Sequence, residues 1–79
     1  MNSSETTLDQ LQKGVTAKII GYADEMVEEK MLEMGCLPGS SVEINRIAPL
    51  GDPILINISE GNLALRRDEA QYIRILLDL

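Results

Sequence analysis

The side chains that most often do chemistry in enzymes are scarce in this 79-residue sequence. It contains no histidine, so the commonest general base near neutral pH and the commonest metal ligand are both missing. The single cysteine, Cys36, follows Gly35 at the end of a predicted helix, where the negative end of the helix dipole disfavours a thiolate. We therefore predict a protein that is not an enzyme, with no catalytic residue and no cofactor, in which Cys36 is a buried or half-buried structural thiol.

Carboxylates offer a second kind of chemistry, the binding of a hard cation. Four glutamates fall at i, i+3, i+4 and i+8 of one predicted helix: Glu25, Glu28, Glu29 and Glu33. Some of them share a helix face, and their oxygens suit a hard metal ion. A tight site also needs ligands that converge from other elements, and the softer ligands that transition metals favour are almost absent. The pattern favours a solvated acidic face without a metal site, and direct metal binding is the alternative.

The charge balance opposes nucleic acid as a partner. The net charge is −6 at pH 7, whereas binding to phosphate backbones needs Lys and Arg. Tyr22 and Tyr72 are the only aromatic residues, too few to stack bases or to line a groove for proline-rich peptides. The N-terminus is polar, and no apolar run approaches the length that spans a bilayer. With a single cysteine, these features predict a cytoplasmic protein that does not insert into the membrane.

Hydrophobic periodicity predicts the elements that must position any site. A helix is expected from an N-cap at Asp24 to Met34, with a buried stripe of Val27, Met31 and Met34. Period-two alternation predicts five strands, over residues 15–22, 41–47, 54–58, 62–66 and 73–77, and residues 68–72 read as a helical turn capped by Asp68. The fold class is therefore mainly β with one α-helix and a short helical turn. A small barrel of about five strands is the economical arrangement, because closure removes exposed strand edges. Residues 1–7 are expected to form a flexible tail and residues 8–79 a single domain.

Two turns around the strand at residues 41–47 combine dihedral-fixing residues with apolar side chains. The first contains Leu37, Pro38 and Gly39, and the second runs from Ala48 to Pro53 with Leu50 at its centre. Ordinary loops place polar residues at such positions. Either the two leucines pack inward, or the turns present them to a partner.

Four segments of the sequence form a more specific pattern. They are the helix end Met31-Leu32-Glu33-Met34-Gly35, the turn Cys36-Leu37-Pro38-Gly39, the loop Ala48-Pro49-Leu50-Gly51-Asp52-Pro53 followed by Ile54, and the strand Leu63-Ala64-Leu65-Arg66. In this order and spacing, they resemble the FeoA family of bacterial ferrous-iron transport accessory proteins. The resemblance covers the chain from Leu8 to Ile75. The acidic helix and Cys36 depart from the family's usual residues.

The resemblance implies an SH3-like barrel that acts beside FeoB, the membrane ferrous-iron transporter with a cytosolic GTP-binding region, and hence at the inner face of the membrane. The expected role is that of a regulatory protein that docks on this region. The predicted docking residues are Leu37, Pro38, Arg46, Pro49, Leu50, Gly51, Asp52, Pro53 and Arg66. The alternatives are a metallochaperone or sensor that binds Fe(II) directly, and a stand-alone relative of the SH3-like domain of iron-dependent transcriptional regulators. Weak self-association through a methionine-lined surface or a strand edge is a further expectation.

Overall fold

The computed structural model describes residues 3–59 and 61–78. Its strands are β1 (Ser3–Thr7), β2 (Thr16–Tyr22), β3 (Ser41–Ile47), β4 (Ile54–Ile58), β5 (Gly61–Leu65) and β6 (Ile73–Asp78). The helices are α1 (Glu25–Glu33) and the short α2 (Arg67–Ala70), and a 3-10 turn covers Leu8–Gln10. The six strands form one antiparallel sheet in the order β1-β6-β2-β3-β4-β5. The predicted fold class is confirmed, with six strands in place of about five.

The core is aliphatic, as the shortage of aromatic residues predicts. In β4, Ile54, Ile56 and Ile58 are buried, while the residues between them are only partly buried. Because alternate residues of a strand point to opposite faces, one face of β4 lies against the core. The other buried apolar residues complete this core: Leu8, Leu11, Ala17, Ile19, Val27, Met31, Cys36, Val42, Ile44, Leu65, Ala70, Ile73 and Ile75. Within the described residues, no polar or charged residue is buried.

Local interactions fix both ends of α1. Asp24 is the N-cap, as predicted: its carboxylate accepts a hydrogen bond of 3.0 Å from the backbone amide of Val27. Gly35 has a φ of +82°, the left-handed conformation that ends many helices. Val27 and Met31 face the core, but the prediction that Met34 completes the stripe is wrong, because Met34 is 42% exposed. Met34 lies at the C-cap, outside the helical turns.

The N-terminal residues differ from the predicted tail. Ser3–Thr7 form β1, which pairs with β6 in an unbroken register from Ser3 opposite Asp78 to Thr7 opposite Arg74. An ion pair between Glu5 and Arg74 joins the same two strands. Backbone pairing and this ion pair hold a strand whose residues are all polar. A polar run carries no hydrophobic period, so periodicity could not indicate it.

The helical turn after β5 begins earlier than predicted. The N-cap of α2 is Arg66, and the predicted cap, Asp68, lies inside the helix. The Glu69 carboxylate reaches back and accepts a 2.9 Å hydrogen bond from the backbone amide of Arg66. A glutamate three residues into the helix therefore satisfies the first amide, in the manner of a capping box. None of the described helices is long and apolar enough to cross a membrane.

Candidate functional site

The loop of residues 48–53, here called the Leu50 loop, joins β3 to β4 and presents its central leucine to solvent. The backbone amide of Ala48 donates to the carbonyl oxygen of Pro53 at 3.1 Å, and the amide of Gly51 donates to the carbonyl oxygen of Ala48 at 2.8 Å. Gly51 has a φ of +89°, where a side chain is disfavoured. The Leu50 side chain is 97% exposed. Of the two arrangements open from the sequence, inward packing is therefore excluded for Leu50.

Arg67, which the sequence analysis did not select, fastens the Leu50 loop to the rest of the fold. Its Nε donates to the carbonyl oxygen of Gly51 at 3.2 Å, and its backbone amide donates to the Asp52 carboxylate at 2.8 Å. Its guanidinium also donates to the carbonyl oxygen of Asp9 at 3.4 Å. These contacts connect the loop to α2 and to the 3-10 turn. The tip of the loop is thus held in place while Leu50 stays in solvent.

Replacing Arg67 by alanine should loosen the Leu50 loop without unfolding the domain. The expected loss in free energy of unfolding is about 1 kcal/mol, the usual net value of such hydrogen bonds. Amide hydrogen exchange at Gly51 should become faster, because its bond to Ala48 lies inside the braced turn. Arg66→Ala is the matched control, and exchange at Gly51 that is equal in the two variants would contradict the bracing role.

A cleft of about 790 Å³, lined mainly by charged residues, opens beside the Leu50 loop. Its lining residues are Asp9, Asp52, Pro53, Arg66, Arg67, Asp68 and Gln71. Arg66 is exposed, and in residues 3–59 and 61–78 its side chain forms no ion pair. The predicted contact residue Arg66 therefore does lie next to Asp52 and Pro53. Arg46 is exposed near the end of β3 that leads into the Leu50 loop, opposite Leu55 of β4.

The two turns singled out from the sequence are not neighbours. The turn with Leu37 and Pro38 precedes β3, whereas the Leu50 loop follows β3. A strand rises about 3.3 Å per residue, so the ends of this seven-residue strand lie about 20 Å apart. Leu37 is 58% exposed, and its turn is held to β2 by a bond from the amide of Gly39 to the carbonyl oxygen of Ile19. The two turns therefore lie at opposite ends of β3.

Cys36 lies in the core and is inaccessible to solvent, as expected for a structural thiol. The hydroxyl of Tyr22 donates to its carbonyl oxygen at 2.7 Å. Burial, with a smaller contribution from Cys36, raises the pKa of Tyr22 above its ordinary range.

The four glutamates of α1 are exposed, and no three His, Cys, Asp or Glu residues in the described part of the chain lie close enough to hold a metal ion.

A salt bridge between α1 and α2 predicts a dependence of stability on pH. The Lys30 ammonium lies 3.1 Å from both Glu69 carboxylate oxygens. Burial acts to raise the pKa of Glu69, but the hydrogen bond from the Arg66 amide and the Lys30 charge outweigh it and hold the pKa below the ordinary 4.5. A carboxyl whose pKa is lower in the folded state stabilises the fold above pH 4.5 and loses that contribution as pH falls further.

We expect Glu69→Gln to lower the free energy of unfolding by about 1 kcal/mol at pH 7 and to have less effect at lower pH. Urea unfolding at pH 7 and at several values below 4.5 checks this. Glu29→Gln, on the exposed face of α1, is the control. A difference between Glu69→Gln and wild type that stays constant across this pH range would contradict the assignment.

Comparisons with known proteins identify the family. The FeoA domain family model matches residues 6–76. Over 71 residues, the chain is 34% identical to a fusion protein of Fe(2+) transport protein A and the Fe(2+) transporter FeoB from Porphyromonas gingivalis. That match covers 89% of this chain and 8% of the fusion protein. The chain therefore spans less than a tenth of the length of that relative.

Solved structures agree with this match. A FeoA-like protein from Clostridium acetobutylicum is 31% identical and superposes with a TM-score of 0.85, covering 100% of this chain and 92% of that one. A FeoA of Stenotrophomonas maltophilia, solved with zinc and described as a prokaryotic SH3 domain protein, is 24% identical with a TM-score of 0.77, covering 89% and 88% of the two chains. This second likeness supports the SH3-like fold alone. By its family match over residues 6–76, this chain belongs to the FeoA family of ferrous-iron transport proteins.

Proposed function

We propose that this protein is a non-catalytic accessory protein of ferrous-iron uptake that docks on a FeoB-type transporter through the Leu50 loop. The observation that carries the proposal is the Leu50 side chain, which is 97% exposed at the tip of a loop that Arg67 holds by a hydrogen bond to Gly51. The Porphyromonas gingivalis relative unites FeoA and FeoB in one polypeptide, which is consistent with the two working in contact. Cytoplasmic action at the membrane surface is part of the same proposal.

The physical case rests on the cost of docking. An apolar side chain in water gains about 2 kcal/mol when a partner buries it. A mobile loop would lose much of that gain, because its backbone must be ordered on binding. The hydrogen bonds to Gly51 and Asp52 order the loop in advance. Leu50 therefore suits the role of an apolar anchor, with Arg46 and Arg66 as polar contacts at its margin.

Co-purification with the transporter tests the proposal. The bait is the cytosolic GTP-binding region of the FeoB-type transporter from the same organism. Leu50→Asp should abolish co-purification, because docking would then bury a carboxylate. Leu37→Asp is the matched control, since it places the same charge on an exposed leucine at the other end of β3 and should bind like wild type.

Both variants should give circular dichroism spectra like that of wild type, because both leucines are exposed. If Leu50→Asp folds normally and still binds like wild type, the Leu50 loop is not the contact. If Leu37→Asp loses binding instead, the contact lies at the opposite end of β3.

A further inference from the structure

β5 leaves one edge of the sheet open. In residues 3–59 and 61–78, it pairs only with β4, from Ile54 opposite Leu65 to Ile58 opposite Gly61. Apart from this pairing, no described backbone hydrogen bond involves residues 61–65. The outer row of amides and carbonyls of β5 therefore forms no backbone hydrogen bond to a described strand or turn.

The sequence of β5 lacks the features that usually protect such an edge. Proteins commonly block an edge strand with a charged residue, a proline or a bulge. Gly61–Leu65 contains no charge and no proline, and its register with β4 is unbroken. The opposite edge of the sheet differs, because β1 carries Glu5 in an ion pair with Arg74. Of the two edge strands, β5 is the one open to pairing with another strand.

We propose that two copies of this chain associate through β5, pairing antiparallel around Leu63. In this register, Leu63 lies opposite Leu63 of the second copy, and Leu65 lies opposite Gly61. Directly opposite residues of an antiparallel pair share a face, so the two half-buried Leu63 side chains cover each other on the inner face. Gly61 leaves room for the larger Leu65. The strand is thus complementary to itself.

Charge restricts where a second copy can meet this one. Two molecules of net charge −6 repel each other over most of their surfaces. β5 is an uncharged strand on which they can meet without placing like charges opposite one another. Only five residues pair from each copy, so the area buried is smaller than the roughly 1,000 Å² of a stable interface. The association is therefore weak and depends on concentration.

Substitutions that place like or opposite charges across the two paired β5 strands test the proposal. Asn62 and Ala64 are exposed on the outer face of β5, and in the proposed register Asn62 of one copy faces Ala64 of the other. The double variant Asn62→Lys/Ala64→Lys places lysines opposite each other twice and should weaken association about tenfold or more. Asn62→Lys/Ala64→Glu places a lysine opposite a glutamate twice and should associate at least as tightly as wild type. The double-lysine variant also has a net charge closer to zero. If repulsion between the whole molecules controlled association, this variant would therefore associate more tightly than wild type.

Sedimentation equilibrium and NMR translational diffusion, at concentrations up to about 1 mM, measure the association. Gln12→Lys/Ala23→Lys adds the same charge at exposed positions outside the strands and should leave association unchanged or slightly stronger. Amide NMR spectra establish that every variant is folded. A wild-type protein that stays monomeric throughout would overturn the proposal, as would a double-lysine variant that associates like wild type. These measurements use the purified protein alone, so their outcome is independent of docking on the transporter.

Discussion

Replacing Ile75 by alanine is expected to lower the free energy of unfolding by about 3–4 kcal/mol. Ile75 has no solvent exposure and lies in β6, which pairs with β1 on one side and β2 on the other. Its cross-strand neighbour in β2, Ile19, is also fully buried. Removing three carbon atoms from this position loses the transfer free energy of the side chain and leaves a cavity that flanking strands on both sides cannot easily collapse to fill.

Urea unfolding followed by far-ultraviolet circular dichroism measures this loss. Ile20→Ala in β2 is the matched control, because Ile20 is 38% exposed and its truncation should cost less than about 1 kcal/mol. Equal losses for the two variants would contradict the burial of Ile75 in the core. A domain of this size has little stability to spare, so Ile75→Ala should be partly unfolded near 37 °C.

Leu50→Ala is expected to weaken binding to the transporter's cytosolic region by about tenfold to a hundredfold. The truncation removes most of the apolar surface that docking would bury, and it adds no charge that could repel the partner. The free energy of unfolding should change by less than about 0.5 kcal/mol, since the side chain contacts mainly water. Loss of affinity without loss of stability distinguishes a docking residue from a packing residue.

Isothermal titration calorimetry gives this affinity directly. Leu37→Ala serves as the comparison, because it removes the same atoms from a side chain that is 58% exposed at the other end of β3. Equal affinities of wild type and Leu50→Ala would remove Leu50 as the anchor, whatever the behaviour of Leu37→Ala.

The elements predicted correctly are those with a strong local signal. Alternating isoleucines mark β4, and Asp24 and Gly35 mark the ends of α1 through chemistry within one helical turn. β1 has no such signal, because its polar residues owe their strand conformation to β6, about seventy positions further along the chain. Long-range backbone pairing without apolar alternation is not visible in a local sequence window.

The candidate site was only partly predictable for a related reason. An apolar residue in a turn can face inward or outward, and the backbone bonds within residues 48–53 decide that Leu50 faces outward. Arg66 and Arg67 are indistinguishable by residue type and neighbourhood, yet the start of α2 between them directs Arg67 to the Leu50 loop. The separation of the two turns follows from the length of β3, which its alternating residues predict.

The most direct test of docking through the Leu50 loop is NMR mapping of the isotope-labelled protein as the transporter's unlabelled cytosolic region is added. We predict that the largest changes in amide and methyl signals fall on residues 48–53, with smaller changes at Arg46 and Arg66. Changes confined to residues 37–39 or to α1, with the signals of residues 48–53 unmoved, would contradict the proposed docking surface.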